Sequence, residues 1–189
     1  MTGRELIWRR QYDDKSFEIF RFTRDGGDIR FEGTAILAED GKPLRVDYSI
    51  ACNSAWQTRR VEITQSYDGR TQTLLLEHDG AGAWRRDGVA AADLAGCTDV
   101  DLGVSPSTNA LPINRLNLRD GEAHIIRAAW VKFPAFVIVA GEQRYTRLGA
   151  SRYLYESIGT DFRAELDVDA DGLPIEYQNI WTRIAENSI

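Results

Sequence analysis

Seven Asp-Gly pairs divide the chain into short segments, and they constrain its fold more than any other feature of the sequence. Gly tolerates positive φ angles and the Asp side chain bonds to its own backbone, so the pair favours tight hairpin turns. We therefore predict hairpins, and with them antiparallel strands, along the whole chain. The pairs lie at Asp25-Gly26, Asp40-Gly41, Asp68-Gly69, Asp79-Gly80, Asp87-Gly88, Asp120-Gly121 and Asp171-Gly172.

Between these pairs, apolar and polar residues alternate. In LRVDYSIAC (44–52) every second side chain, from Leu44 to Cys52, belongs to one apolar face. The same period recurs in IRFEGTAIL (29–37) and in FRAELDV (162–168). A period of two is typical of half-buried antiparallel strands. At least ten such segments occur, whereas only VAAADLAG (89–96) suggests a short turn of helix.

These patterns predict an all-β protein built on one large antiparallel sheet. A sheet of this size must curl or close so that one of its faces is buried. The chain contains no linker rich in Pro, Ser or Gly and no evident internal repeat. We therefore expect residues 1–189 to form a single domain.

Charge and apolar runs exclude several classes of function. The formal net charge is −6, and arginine pairs such as Arg59-Arg60 are spread along the chain, so we expect no nucleic acid partner. The longest apolar run, at 134–141, is far shorter than a membrane helix. No export segment is recognisable, so we expect a cytoplasmic protein with buried free thiols at Cys52 and Cys97.

Neither a metal nor another cofactor is expected. The DVDADG segment (167–172) begins like a calcium loop, but Gln178 stands where that loop needs a bidentate glutamate. The two cysteines and two histidines lack the spacing of zinc ligands. His78 is expected in solvent at a turn, and His124 at the start of a strand, so histidine catalysis is not favoured.

The segment CTDVDLGVSPSTNALPINRL (97–116) differs from the rest of the chain. If its first part is a strand, Asp99 and Asp101 lie on one side of it, and Arg115 can reach back to either. Pro112 is expected only at a strand edge or a bulge. Two interpretations remain open: an acid–arginine network that holds a long crossover, or the polar wall of a binding cavity that also includes Asn109.

Aromatic residues supply apolar area together with a polar group, which suits a sugar or a lipid head group. In the segment RYLYES, Tyr153 and Tyr155 share one strand face with Ser157. That face lines a cavity or forms the outer surface of the sheet, and the pattern is compatible with both. Single tryptophans in β proteins usually belong to the core.

Three segments resemble the putative glycolipid-binding protein family, formerly a domain of unknown function. They are GCTDVDLGVSPSTNALPINRL (96–116), the C-terminal YLYES with FRAELDVDADGLPIEYQNIW, and DYSIACNSAWQTRRVEI (47–63), which contains Trp56 and Arg59-Arg60. The resemblance covers essentially the whole chain. It departs at Asn114, where the family is expected to favour a basic residue.

The resemblance implies about fifteen antiparallel strands in one sheet rolled on itself, a spiral β-roll similar to lipoprotein-carrier half-barrels, although fold alone does not assign function. The first hypothesis is a non-enzymatic protein that binds a glycolipid or similar amphiphile, with acyl chains in the hollow and sugar at a polar rim. The alternatives are an enzyme acting on a sugar or lipid through Asp99 and Asp101, or an interaction module that forms a homodimer. The candidate ligand-binding residues are Asp99, Asp101, Asn109, Arg115, Trp56, Arg59, Arg60, Tyr153 and Tyr155.

Overall fold

The computed structural model describes residues 2–13 and 15–189, and within them fifteen strands form one sheet. The strands are β1 (Thr2–Arg10), β2 (Phe17–Asp25), β3 (Asp28–Glu39), β4 (Lys42–Cys52), β5 (Thr58–Tyr67), β6 (Arg70–His78), β7 (Trp84–Arg86), β8 (Val89–Ala90), β9 (Asp99–Leu102), β10 (Ala123–Lys132), β11 (Val137–Gly149), β12 (Arg152–Ser157), β13 (Arg163–Val168), β14 (Pro174–Tyr177) and β15 (Trp181–Ser188).

The strand order joins two meanders through the ends of the chain. From one edge it runs from β8 to β1, continues with β15, and then runs back to β9 at the other edge. Strands β1 and β15 pair antiparallel, from Arg4 opposite Ser188 to Arg10 opposite Trp181. The prediction of an all-β fold with a single rolled sheet of about fifteen strands is confirmed.

The sheet is not purely antiparallel, because β9 pairs parallel to β10. A parallel pair cannot be joined by a tight hairpin and needs a crossover connection. Residues 103–122 form that crossover, and they include a 3-10 turn (Ser107–Asn109) followed by the helix α1 (Ala110–Leu116). The predicted helical turn near residues 89–96 is also present, as a 3-10 turn at Ala92–Leu94.

Several Asp-Gly pairs form the predicted hairpin turns. At Asp40-Gly41, for example, the φ angles are 50° and 73°, and the pair joins β3 directly to β4. Two consecutive positive φ angles define a type I′ turn, whose twist matches that of the flanking strands. The same geometry recurs at Asp68-Gly69 and Asp87-Gly88.

The apolar faces that alternation predicts point into the roll. In β4, Leu44, Val46, Tyr48, Ile50 and Cys52 are buried, whereas the residues between them are partly or fully exposed. Aromatic rings contribute much of the core on this half of the sheet. The Phe20 and Phe31 rings, for instance, pack edge to face with their centroids 5.1 Å apart.

The crossover fills the concave side of the sheet. Every residue from 104 to 113 is buried, and we call this segment the plug. Ser107 contacts Tyr48 of β4 on one side, while Asn109 contacts Tyr145 of β11 on the other. The plug therefore lies between the two halves of the rolled sheet and links them through hydrogen bonds.

The expectation for Pro112 was wrong, because this residue lies in the first turn of α1 rather than at a strand edge. The N–H groups of a first turn have no intrahelical partner, so a proline there loses no hydrogen bond. The helix ends at Asn117, which adopts the left-handed conformation with φ 44°.

The prediction for His78 was also wrong. Its side chain is buried, Nδ1 lies 3.0 Å from the Thr58 carbonyl oxygen, and Nε2 accepts a hydrogen bond from the Gly82 N–H. The ring also stacks on Trp84 with a centroid distance of 4.5 Å. His78 therefore holds the β6–β7 turn against the sheet.

Cys52 and Cys97 are buried free thiols, as predicted. Within residues 2–13 and 15–189, no helix has the length and apolar character needed to cross a membrane. In the same residues, no three His, Cys, Asp or Glu side chains come together as a metal site would require.

Candidate functional site

Asp99 and Arg115 form a buried ion pair that fastens the crossover to the edge of the sheet. Arg115 Nε donates to Asp99 Oδ1 at 3.0 Å and Nη2 donates to Oδ2 at 2.6 Å. The Asp99 side chain is 1% exposed and that of Arg115 is 18% exposed. This bidentate geometry matches the predicted acid–arginine network.

Asn114, the residue at which the chain departs from the expected family pattern, also holds the crossover in place. Its Nδ2 donates to the Ala110 and Asp171 carbonyl oxygens, each at 2.8 Å. The second bond connects α1 to the β13–β14 turn. An amide at this position therefore has a structural role that a second basic residue would not supply in the same way.

A second buried acid, Glu18, was not identified from the sequence. It lies on the inner face of β2, and its Oε1 accepts hydrogen bonds from the Tyr48 hydroxyl and from Ser105 Oγ, the latter at 2.7 Å. In the described part of the chain, Glu18 Oε2 has no hydrogen-bond partner. The network connects β2, β4 and the plug through side chains alone.

Gly33 makes this network possible. It lies on β3 between the strands that carry Glu18 and Tyr48, and the Tyr48 ring lies across it. A Cβ atom at position 33 would overlap the Tyr48 ring. Only glycine therefore lets the Tyr48 hydroxyl reach over β3 to the carboxyl group on β2.

The environment of Glu18 favours its neutral form. Burial raises the pKa of Glu18 to about 8, and the hydrogen bonds from Tyr48 and Ser105 only partly offset this effect. An acid that remains protonated near neutral pH is characteristic of a carboxyl group held away from water.

Next to this network, a half-open cavity of about 400 Å³ lies between the plug, β12 and the strands that follow it. It combines aromatic walls with a few polar groups, as small-molecule sites commonly do. Ser105, which bonds to Glu18, also reaches the cavity wall. The lining residues are Tyr12, Asp101, Leu102, Gly103, Ser105, Asn109, Trp130, Tyr155, Ser157, Thr160, Phe162, Tyr177, Ile180 and Trp181.

Tyr155, Phe162 and Tyr177 form an aromatic corner in this wall. The Tyr155 and Phe162 planes meet at 62°, those of Tyr155 and Tyr177 at 76°, and those of Phe162 and Tyr177 at 72°. The ring centroids are 5.8–6.4 Å apart. The three rings therefore pack edge to face against one another.

Asp101 is the acidic group in the wall. Its Oδ2 accepts a hydrogen bond of 2.6 Å from Gln143 Nε2, whereas its Oδ1 has a longer contact of 3.4 Å with Thr108 Oγ1. Burial raises the pKa of Asp101 to about 6, against the opposing effect of these two bonds. A carboxyl group with a raised pKa in a cleft is a common feature of functional sites.

The structure brings together three of the nine candidate residues at the cavity: Asp101, Asn109 and Tyr155. Asn109 Oδ1 accepts a hydrogen bond of 2.9 Å from the Tyr145 hydroxyl, which fixes the amide at the wall. Tyr155 projects inward from β12, in agreement with the cavity-lining interpretation of its strand face.

Asp99 and Arg115 belong to the ion pair, and the other four candidates lie elsewhere. Trp56, in the β4–β5 turn, stacks on Phe22 at 6.0 Å. Arg59 and Arg60 are exposed on β5, where Arg60 pairs with Glu62 and Glu77. Tyr153 is buried on β12 with the Arg147 guanidinium 5.9 Å from its ring centroid.

Most of the cavity wall was not identified from the sequence. Trp130, Phe162, Tyr177 and Trp181 come from four separate segments, and Phe162 belongs to the apolar set of the alternating segment 162–168. An aromatic residue on an apolar face has the same pattern whether it fills a core or lines a cavity. Only the three-dimensional arrangement distinguishes the two.

Comparison with known proteins agrees with this architecture. A family model described as "Putative glycolipid-binding" matches residues 5–183. The crystal structure of a DUF1089 family protein from Pseudomonas aeruginosa is similar, with 35% identity and a TM-score of 0.80, over 89% of this chain and 92% of that chain. No curated protein matches the chain.

A beta-barrel-like protein of domain of unknown function DUF1849 from Brucella abortus is similar in fold alone. Its identity is 8% and its TM-score is 0.54, over 100% of this chain and 97% of that chain. The likeness to the Pseudomonas protein and the family match, in contrast, extend to the sequence. The chain belongs to the putative glycolipid-binding family.

Proposed function

We propose that the protein binds an amphiphile and holds its polar head group in the cavity beside the plug. The observation that supports this most is the composition of the wall, where Asp101, Ser105 and Asn109 line the same cavity as several aromatic rings. Hydrogen-bonding groups orient a bound head group, while the rings supply contact area. The description of the family is consistent with such a ligand.

Because the plug fills the concave side of the sheet, we assign only part of the ligand to the cavity. Residues 104–113 are buried on the concave side of the sheet, where the initial hypothesis located acyl chains. The remaining cavity of about 400 Å³ has the size of a head group with a short part of its chain. We therefore assign the head group to the cavity and the rest of the chain to its open mouth.

The enzyme hypothesis has one observation in its favour, the raised pKa of Asp101 in a cavity. It relied on Asp99 and Asp101 acting together on one substrate. Asp99, however, accepts a hydrogen bond from Arg115 on each carboxyl oxygen and is 1% exposed. We therefore keep binding as the first hypothesis. A cytoplasmic location and a homodimer remain predictions.

Removing one ring at the mouth of the cavity should weaken binding. Phe162 is 41% exposed and contacts Tyr155 and Tyr177, so Phe162→Ala removes stacking area with little effect on the core. We expect the variant to bind octyl β-glucoside about 3- to 10-fold more weakly, in line with the contribution of one aromatic contact. Isothermal titration calorimetry below the critical micelle concentration measures this difference.

Phe17→Ala is the matched control, because Phe17 is 39% exposed on β2 and does not line the cavity. Its affinity should equal that of the wild type. Equal affinities for all three proteins would place the ligand elsewhere on the molecule, and an absence of binding by the wild type would contradict the proposal.

A further inference from the structure

We propose that the cavity is specific for an ammonium-bearing head group, such as an amino sugar or a choline-type group. This inference rests on the proposed binding function and specifies the chemistry of the ligand. Its two supports are the aromatic corner and the carboxyl group of Asp101, which line the same cavity.

The aromatic corner offers three rings to a cation bound in the cavity. The three rings pack edge to face with their planes at 62–76° in pairs, and all three line the cavity. Aromatic faces attract cations through the ring quadrupole, and cages of such rings recognise quaternary ammonium groups.

Asp101 supplies the negative charge that a bound cation would need. Its Oδ1 makes only the long contact with Thr108 Oγ1, so this oxygen retains capacity to accept a hydrogen bond or an ion pair from a ligand. Burial is the largest cause that raises the pKa of Tyr155, and the charge of Asp101 is the next. For Tyr177, burial again raises the pKa most, followed by Tyr155 and then by Asp101. The carboxyl group therefore acts electrostatically on two rings of the corner.

The partial enclosure of the cavity strengthens the attraction between Asp101 and a bound cation. Charges interact more strongly in a partly enclosed cavity than in water. A carboxylate there attracts a cation and repels a phosphate, sulfate or carboxylate head group, so it provides specificity by attraction and by repulsion.

Trp130, in another part of the cavity wall, is a less favourable position for the ligand ammonium than the aromatic corner. The Lys132 ammonium already lies 4.1 Å from the Trp130 ring centroid. A ligand cation next to Trp130 would be repelled by this lysine. The ligand ammonium is therefore expected between Asp101 and the aromatic corner.

Three probes with the same octyl chain test the inference on the wild-type protein. They are octyltrimethylammonium (cationic), octyl β-glucoside (neutral) and octyl sulfate (anionic), each titrated by calorimetry at pH 7.5 below its critical micelle concentration. We expect the cationic probe to bind about tenfold more tightly than the neutral one, and the anionic probe to bind most weakly. At this pH Asp101 is ionised, since its pKa is about 6.

The outcomes separate the inference from the proposed function. Equal affinities, or tighter binding of octyl β-glucoside or octyl sulfate, would overturn ammonium specificity while leaving amphiphile binding intact. If none of the three probes binds, the proposed function itself is contradicted. Because the comparison uses a single protein, it does not depend on the folding of a variant.

Asp101→Asn tests the role of the carboxyl group. The substitution keeps the shape of the side chain and an oxygen that can accept from Gln143, but it removes the charge. The ratio of the affinities for octyltrimethylammonium and octyl β-glucoside should fall toward one in this variant. An unchanged ratio would show that Asp101 does not determine specificity.

Probes without a chain distinguish the two sources of the ammonium group. Glucosamine is compared with N-acetylglucosamine, which lacks the charge, and choline is tested beside them. Tighter binding of glucosamine than of N-acetylglucosamine and choline would assign an amino sugar, and tighter binding of choline would assign a choline-type head group. Tightest binding of N-acetylglucosamine would overturn the inference.

Discussion

The free energy of unfolding should decrease as the pH rises from about 4.5 to about 8, because Glu18 remains protonated in the folded protein. Below pH 4.5 its carboxyl group is protonated in both states, so its contribution to stability is fully present. Between these values the unfolded chain releases the proton while the folded protein retains it, and stability is lost. The pKa of Glu18 in the folded protein, about 8, lies about three and a half units above its ordinary value of 4.5. This difference corresponds to a loss of at most about 5 kcal/mol in the free energy of unfolding.

The comparison of wild type with Glu18→Gln isolates this effect. The amide keeps an oxygen for the Tyr48 and Ser105 hydroxyls but does not titrate. Urea unfolding of both proteins from pH 4.5 to 8.5 should show the variant gaining stability relative to the wild type as the pH rises, by several kcal/mol. A difference that stays constant over this range would mean that Glu18 is ionised in the folded state.

Arg115→Ala should lower the free energy of unfolding by about 3–5 kcal/mol, because it leaves the Asp99 carboxyl group buried without its cation. Both carboxyl oxygens of Asp99 lose a bond from the guanidinium, and the crossover loses one of its attachments to the edge strand β9. Thr98 Oγ1, which also accepts a bond of 3.1 Å from Arg115, loses that partner as well. Urea unfolding at pH 7 measures the loss.

Arg60→Ala is the control for Arg115→Ala. Arg60 also forms ion pairs, with Glu62 and Glu77, but all three side chains are well exposed, and we expect a loss of less than about 1 kcal/mol. The double variant Asp99→Asn with Arg115→Ala should recover part of the loss, because it removes the buried charge. If Arg115→Ala and Arg60→Ala have the same small effect, the ion pair does not fasten the crossover.

The sequence predicts the hairpins and strands well because both depend on local physical chemistry. Asp-Gly turns need only two residues with positive φ, and alternation in a segment such as 44–52 assigns its two faces directly. A contact of Arg115 with Asp99 or Asp101 was also predicted, since all three lie in one segment, and the structure selects Asp99. The parallel pairing of β9 with β10 was not, because it depends on how the crossover folds back onto the sheet.

Glu18 shows where local patterns become ambiguous. In FEIFRF (17–22), the set Phe17 and Ile19 is as apolar as the set Phe20 and Phe22, so either face could be buried. The structure buries the face that includes Glu18, and Phe17 and Ile19 are exposed. An acid on the same face as two phenylalanines is a sign of a buried polar network, but the sequence supplies no partner for it within the segment.

The cavity could be predicted only in part, because its wall is assembled from distant segments. Asp101 and Asn109 lie in the segment that the sequence distinguished, whereas Phe162 and Tyr177 reach them only through the order of the strands. The candidates Trp56, Arg59 and Arg60 are close together in sequence but lie outside the lining of this cavity. They were chosen because segment 47–63 resembles the family, and that segment contributes no residue to the lining.

The five tryptophans offer the most direct test of the claim that a head group binds in the cavity. Trp130 and Trp181 line it, whereas the Trp8 and Trp84 indoles donate to the Pro174 and Cys97 carbonyl oxygens and Trp56 stacks on Phe22. Single Trp→Phe variants assign each indole N–H signal in a nitrogen-15 NMR spectrum.

Titration with octyl β-glucoside and with octyltrimethylammonium then locates the ligand. The proposed site predicts that the Trp130 and Trp181 signals shift in a saturable manner while the Trp8, Trp56 and Trp84 signals remain in place. Shifts confined to Trp8, Trp56 or Trp84, or an unchanged spectrum with both probes, would contradict binding in the cavity.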